Sequence, residues 1–287
     1  MHQKHSLLQS LPRCLAAPVL AGVAVCLTIL TAAAQAQVIV PDWQPSVHSN
    51  PNPGTPTGSG SADGSTLEFN ITGGSAGPSN YVRLFSTTDS ALEISPEGKG
   101  VKMSASGISF TTESTTAAGN QQILFFTLAP TPGEAPYKDG ASGMQKAVSL
   151  SITAGGQYSL GWVTGALSEK GWVSAVNSSG HAGTLSSPIT GFDLSLTATT
   201  YHLVLFTADG ETELDGDHLL PGDWGAMGVS VTLQKTFSDT STGQTNRLAA
   251  EVAHFEVAAI PEPSTALLLG GTLAGLLLTT RCFGKNR

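Results

Sequence analysis

Cysteine is nearly absent from this chain, and the few cysteines lie near its ends. There are three, Cys14, Cys26 and Cys282, and none occurs in the long region between the last two. A disulfide framework is therefore excluded for that region. It is long enough to be held by a hydrophobic core instead.

Basic residues are also scarce. Between Asp42 and Glu262 the sequence has all 21 of its acidic residues and only eight lysines and arginines, a net charge of −13. No basic cluster occurs there, so we expect neither nucleic acid nor anionic lipid as a ligand. An acidic domain of this kind is soluble and suits divalent cations or a polysaccharide matrix.

Long helical patterns are missing, and apolar residues recur with a period of two. Thr66–Thr72 alternates apolar and polar residues as a strand with one buried face does. Turn signals separate this strand from similar segments, which are Tyr81–Ser86, Ala91–Ser95, Gly100–Ser104, Ile108–Thr112, Gln122–Leu128, Ala147–Thr153, Gln157–Val163, Gly171–Val176, Gly191–Thr197, Thr200–Thr207, Gly225–Phe237 and Arg247–Val257. Glu251–Val257 is the nearest helical candidate, but a final strand fits it equally well.

This pattern predicts an all-β fold, a jelly-roll-like antiparallel β-sandwich over residues 64–259. It resembles the sandwiches of the concanavalin A-like lectin and laminin-G class, a likeness of fold that transfers no activity. A right-handed β-helix is the alternative, and no fixed-period repeat supports it. Residues 37–63, rich in Pro, Gly and Ser, are predicted to form a disordered leader.

The N-terminal 36 residues have the layout of a signal peptide. Lys4 and Arg13 precede the apolar stretch Leu15–Leu30, and Ala34 and Ala36 form a small-x-small cleavage site. We expect export through the Sec translocon and cleavage by signal peptidase before Gln37. An uncleaved signal anchor is the alternative.

The C-terminal residues 260–287 combine three features in a fixed order. Pro261, Glu262 and Pro263 come first, and the 17 residues 264–280 carry no charge. As a helix these would extend about 25 Å, slightly less than a bilayer core of about 30 Å. The tail 281–287 is basic and favours the cytoplasmic side. An ordinary C-terminal anchor behind a Pro-rich stalk is the simpler interpretation.

These features together resemble the PEP-CTERM sorting signal of exported bacterial proteins. The resemblance implies that an exosortase-like membrane transpeptidase recognises Pro261, Glu262 and Pro263 and that the helix at 264–280 is removed. Ile260 stands where this family usually has Val. The resemblance covers only 260–287 and implies nothing about the preceding domain.

Two sets of residues are candidates for ligand binding. Residues 209–218 form an acidic stretch, in which Glu211, Glu213, Asp215 and Asp217 are a candidate Ca²⁺ site, since Ca²⁺ prefers carboxylate oxygens on a Gly-containing loop. A solvated hairpin tip is the favoured interpretation of the same stretch. Trp162 and Trp172 repeat in a Gly-Trp-Val context, which fits either a sugar-stacking platform or core packing, and core packing is favoured.

Catalytic motifs are missing, and we expect no enzyme. The sequence has no Gly-x-Ser-x-Gly, no Walker loop and no Gly-x-Gly-x-x-Gly. A carboxylate pair for glycoside hydrolysis depends on distances that sequence does not give, and Glu68, Glu93, Glu211 and Glu251 are eligible.

We therefore expect an exported cell-surface or matrix protein that needs no cofactor, although Ca²⁺ remains a candidate. Exopolysaccharide is a candidate partner. A lectin-like module is the alternative, and a secreted polysaccharide-degrading enzyme comes third.

Overall fold

The computed structural model describes residues 37–48, 57–72, 77–95, 98–113, 121–130, 146–164, 181–217, 225–237 and 247–260. All regular elements in these ranges are β-strands: β1 (Gln37–Ile39), β2 (Gln44–His48), β3 (Thr57–Asp63), β4 (Thr66–Thr72), β5 (Gly77–Phe85), β6 (Asp89–Ile94), β7 (Gly100–Glu113), β8 (Gln121–Ala129), β9 (Lys146–Thr153), β10 (Gln157–Thr164), β11 (Ala182–Thr184), β12 (Ile189–Leu196), β13 (Thr200–Thr207), β14 (Gly210–Asp217), β15 (Gly225–Phe237) and β16 (Arg247–Ile260). The predicted all-β class is confirmed.

The strands form two antiparallel sheets of eight strands each. Sheet A has the order β14-β13-β12-β7-β16-β4-β3, with β1 beside the end of β16. Sheet B has the order β11-β10-β9-β8-β15-β5-β2, with β6 beside the start of β15. The last two strands, β15 and β16, therefore lie in the interior of the two sheets, between partners that precede them in sequence.

One large hydrophobic core of the described residues joins the two sheets into a sandwich. Phe126 of sheet B packs edge-on against Phe192 of sheet A, with ring centroids 4.7 Å apart, and stacks on Phe255 of sheet A at 5.8 Å. These rings and the alternating Leu, Ile and Val of both sheets are buried. One face of each strand thus supplies the core, as the period of two predicts.

The prediction of a disordered leader over 37–63 is wrong for the described part of that segment, which contains β1, β2 and β3. β2 forms one edge of sheet B, and β3 forms one edge of sheet A. Gly60 lies on Leu84, and a Cβ on Gly58 would overlap Val82. The Pro-, Gly- and Ser-rich composition of this segment suggested disorder. Edge strands, however, are held by backbone hydrogen bonds, and glycine lets the two sheets approach closely.

The two strands predicted at Gly100–Ser104 and Ile108–Thr112 are one strand, β7. Gly107 has a φ of +65° and lies beside Ala253 of β16. Before Gly107 the odd-numbered residues of β7, such as Met103, face the core. After Gly107 the even-numbered residue Ile108 is buried instead. β16 changes its buried face at Ala253 in the same way. The pairing of β7 with β16 therefore continues through Gly107 and Ala253, where both strands exchange their buried and exposed faces. We call this position the paired irregularity; in the sequence pattern it looks like the end of one strand and the start of another.

Glu251–Val257, the nearest helical candidate, lies within strand β16. The strand predicted at Gly171–Val176 and both terminal segments lie outside the described residues. Within the described ranges, the structure has no helix with the length and apolar character needed to span a membrane.

Candidate functional site

The outer face of sheet A carries the candidate functional side chains. On β13, Tyr201, Leu203 and Leu205 are buried in the core, and His202 lies on the opposite, outward face. The same alternation puts charged residues of β4, β14 and β16 outside. They gather at two places, which we call the acidic edge (Glu211, Glu213, Asp215 and Asp217 of β14, with His202) and the polar groove (Glu68, Asn70, Arg247 and Glu251, with the hydroxyls around them).

The acidic stretch is a strand and not the predicted loop. β14 pairs with β13 from Gly210 to Asp217, and the turn between the two strands consists of Ala208 and Asp209. The four acidic residues lie on the exposed face of β14, and the residues between them are less exposed. The first and last are six residues apart, about 20 Å along a strand. The four carboxylates therefore cannot converge on one Ca²⁺ as they would in a loop.

His202 joins the acidic edge from the neighbouring strand. It is the cross-strand partner of Asp215, while Glu213 faces Val204 two positions away. The Nδ1 atom of His202 lies 2.7 Å from Oδ1 of Asp215 and 3.6 Å from Oε1 of Glu213. All three side chains are well exposed. Sequence reasoning missed His202 because cross-strand register cannot be derived from one segment alone.

Beneath the acidic edge, Tyr201 anchors β13 in the core. Its ring lies under Gly216, where any Cβ would overlap the phenol. Burial raises the pKa of the Tyr201 hydroxyl above its ordinary value, and the negative charges of Asp215 and Asp217 raise it further. Gly216 is therefore required by packing against Tyr201.

The polar groove lies across β3, β4, β16 and β7. It is a cavity of about 240 Å³ lined by Ser59, Ser61, Glu68, Phe69, Asn70, Ser109, Thr111, Arg247, Ala249, Ala250 and Glu251. Backbone pairing places Ser61, Glu68, Glu251 and Ser109 in one row across the four strands. Nε of Arg247 donates a hydrogen bond to Oδ1 of Asn70 at 3.4 Å.

Two carboxylates face each other in this groove, since Glu68 and Glu251 are direct cross-strand partners. Like charges in directly opposite positions destabilise a sheet by about 0.2–1 kcal/mol. A local arrangement that costs stability is typical of a functional site. The groove offers carboxylates, hydroxyls, an amide and a guanidinium, the groups that bind sugar hydroxyls through hydrogen bonds.

The structure thus brings together two of the four glutamates eligible for glycoside chemistry. Glu93 instead forms an ion pair with Lys99, with Nζ and Oε2 2.9 Å apart, and Glu211 lies on β14 at the acidic edge. The alternation in Thr66–Thr72 predicts that Glu68 lies on an exposed face, but only the fold shows that Glu251 is its partner.

The side chains of the remaining predicted site residues lie outside the described part of the structure. Trp162 lies in β10 opposite Val148, and its side chain is outside the described part of the molecule. Trp172 is also outside it, as are Ala34 and Ala36. So are Pro261, Glu262 and Pro263, which follow the end of β16.

The two packed antiparallel sheets make this protein a member of the antiparallel β-sandwich class. No protein-family model matches the sequence, and no curated protein matches it. A Lotus tetragonolobus seed lectin matches with 10% identity and a TM-score of 0.43, over 77% of this chain and 100% of its own. A Bauhinia forficata lectin in complex with GalNAc matches with 8% identity and a TM-score of 0.38, over 77% and 100%. A Bacillus licheniformis beta-glucanase matches with 10% identity and a TM-score of 0.40, over 77% and 97%.

Proposed function

We propose that the protein is exported, sorted through a PEP-CTERM signal by an exosortase-like membrane transpeptidase, and delivered to the cell surface or extracellular matrix. In this proposal residues 1–36 are a signal peptide, the motif at 260–264 is recognised, and the segment 264–280 is a transient membrane helix. The observation that supports it best is that the last strand, β16, ends at Ile260, directly before Pro261.

The surroundings of β16 explain why this boundary matters. β7 pairs with β16 along its length up to Ile260, and β4 and β1 pair with its other side. Hydrogen bonding in the sheet protects a strand from a protease, which requires an extended and accessible segment. Pro261 and Pro263 cannot donate to a sheet and favour an extended chain. Cleavage beyond Ile260 would leave every described strand intact.

Both processing sites would lie at the same end of the sandwich. Gln37, the residue after the proposed signal-peptide cleavage site, pairs with Ala259 at the end of β16. The chain therefore enters and leaves the folded domain at neighbouring positions. This arrangement suits a domain whose two ends are both processed at one membrane. For the fold of the domain itself, we propose the jelly-roll type.

Mass spectrometry of the protein from a native-type host tests this proposal. We expect a product that begins near Gln37 and ends near Pro263, and we expect Pro261→Ala/Pro263→Ala to retain residues 264–287, because the recognition element is lost. The matched control is Pro51→Ala/Pro53→Ala, which removes another pair of prolines with the same spacing and should leave processing unchanged. A wild-type product that keeps residues 264–287 would make the tail an ordinary anchor.

The polar groove supports a second candidate function, binding of a polysaccharide. Glu68 and Glu251 can each accept hydrogen bonds from sugar hydroxyls, and hydrogen bonds to charged groups contribute about 1.5–3 kcal/mol. We therefore expect Glu68→Gln/Glu251→Gln to lower glycan affinity by about tenfold or more. The matched control is Glu256→Gln, which removes a carboxylate from the outer face of the same strand, outside the groove.

A glycan array, with and without Ca²⁺, measures these affinities. Binding that the groove variant and the control lose equally would place the glycan elsewhere. Turnover of a bound polysaccharide that disappears in Glu68→Gln/Glu251→Gln would make the groove an active site and contradict the expectation that the protein is no enzyme.

A further inference from the structure

We propose that His202, Glu213 and Asp215 form a binding site for a divalent transition metal of the zinc class, on the outer face of β13 and β14. This site is separate from the polar groove. One His nitrogen and two carboxylate oxygens, one from each residue, lie within 4.8 Å of one another. In a zinc site with metal–ligand distances of about 2.0–2.2 Å, neighbouring ligand atoms lie about 3–3.5 Å apart.

The backbone sets up this arrangement before any metal arrives. His202 and Asp215 are direct cross-strand partners, and Glu213 is the next outward residue on β14. The longer Glu side chain covers the diagonal separation, so its Oε1 lies 3.6 Å from Nδ1 of His202. A small outward movement of the Asp215 carboxylate, now 2.7 Å from that nitrogen, makes room for an ion between the three groups. The ligands come from hydrogen-bonded strands and not from a loop.

The ligand set selects the metal. An imidazole nitrogen is a good ligand for Zn²⁺, Cu²⁺ and Ni²⁺, whereas Ca²⁺ and Mg²⁺ prefer oxygen ligands alone. A protein site with three ligands leaves a fourth, open position, which water occupies in zinc centres. The four acidic residues of β14 extend too far along the strand to hold one Ca²⁺. His202 therefore changes the expected ion from calcium to zinc.

The charges around the cluster also favour a cation. Glu211 and Asp217 flank the two carboxylate ligands on the same face. Among the described residues no lysine or arginine forms an ion pair with any acidic residue of β14. Lys102 of β7, two strands away from β13, is paired with Asp193, with Nζ and Oδ2 3.3 Å apart. The negative charge of the acidic edge is therefore not neutralised by a lysine or arginine of the described ranges.

Thermal unfolding of the full-length, tag-free chain with Zn²⁺ tests the site. A ligand that binds only the folded state raises the Tm, and here the metal would also join the edge strand β14 to β13. We expect a Tm increase with Zn²⁺ that Ca²⁺ does not reproduce. His202→Ala should abolish the increase and lower Zn²⁺ affinity by at least about tenfold, since loss of an outer-shell partner alone costs that much.

Two matched controls separate this site from general attraction of cations. Glu211→Gln/Asp217→Asn removes two charges from the same face of β14 but no proposed ligand, and His254→Ala removes another exposed histidine that has one nearby carboxylate, Glu256. Both variants should keep the Zn²⁺ response. The proposal is overturned if Zn²⁺ leaves the Tm of the wild type unchanged, if His202→Ala retains the response, or if the controls lose it equally.

Spectroscopy provides a readout that does not depend on stability. Co²⁺ in place of Zn²⁺ should give the intense visible absorption of a four-coordinate ion, and Glu213→Gln or Asp215→Asn should weaken it. A spectrum identical to that of hexaaqua Co²⁺ in the wild type would also refute the site.

Discussion

Two tyrosines have perturbed pKa values, both mainly through burial. Burial raises the pKa of Tyr81, and the nearby positive charge of Arg83 opposes this shift. The guanidinium of Arg83 lies 4.9 Å from the centre of the Tyr81 ring, and its Nε donates to Thr232 Oγ1 at 3.1 Å. The pKa of Tyr201 is raised by burial and by the acidic edge. Both hydroxyls are therefore neutral at pH 7 and resist deprotonation more than an exposed tyrosine does.

Stability should fall at alkaline pH because of these two residues. The ordinary pKa of tyrosine is 10.0, and both folded-state values are higher. A group whose pKa is raised on folding stabilises the folded state below its ordinary pKa and loses that contribution as the pH rises through the folded value. We expect the free energy of unfolding to decrease above about pH 10. Tyr201→Phe should decrease less steeply, as measured by urea unfolding across this range. Identical slopes for the variant and the wild type would contradict this assignment.

The residue-level features that sequence could predict are those that depend on alternation. An outward Glu68 and an outward acidic set on β14 follow from the period of two, provided that each segment is a strand. The Glu68–Glu251 pair, the His202–Asp215 pair and the fit of Gly216 over Tyr201 depend on which strands become neighbours. Residues such as Glu68 and Glu251 are 183 positions apart in sequence, and no local pattern encodes their contact.

At the scale of elements, the paired irregularity of β7 and β16 is the main departure from regular strands. Gly107 needs a positive φ, and its missing Cβ leaves room for Ala253. This one position lets both strands exchange their inward and outward faces together. The polar groove lies on one side of the exchange, with Glu251 and Ser109, and Glu256 lies on the other.

Substitution of glycine should separate the two requirements at this point. Gly107→Ala combines backbone strain of about 1–2 kcal/mol with overpacking of about 1–3 kcal/mol. Gly64, in the turn between β3 and β4, has a φ of +59°, but no atom lies within 4 Å of the position that a Cβ would take there. Gly64→Ala should therefore show the strain alone. Urea unfolding should give the larger loss for Gly107→Ala, and equal losses would mean that the contact with Ala253 is unimportant.

Strand prediction succeeded where one face is apolar and failed where packing replaces hydrophobicity. The bounds predicted for Thr200–Thr207 and Gly225–Phe237 are those of β13 and β15. β3 was missed because its inward positions include Gly58 and Gly60, which bury almost no apolar area of their own. β14 was missed because two of its three inward positions, Thr212 and Gly216, are polar or small, and only Leu214 is apolar.

At the scale of the whole molecule, the class and the single sandwich could be predicted, since many short strands separated by turns leave few other solutions. Strand order could not. The order within each sheet depends on long-range pairing, such as β7 beside both β12 and β16. For the same reason the acidic edge and the polar groove could not be located from the sequence, although their carboxylates were among the candidate residues.

The interior position of the last two strands has a consequence for how the protein is made. Without β15 and β16, sheet B lacks the strand between β8 and β5, and sheet A lacks the strand between β7 and β4. Nearly the whole chain must therefore be synthesised before either sheet can be completed, and pairing between strands so far apart in sequence is slow. Until then neither sheet is complete. Under the export proposed above, this topology would keep the chain from folding fully until most of it has passed through the translocon.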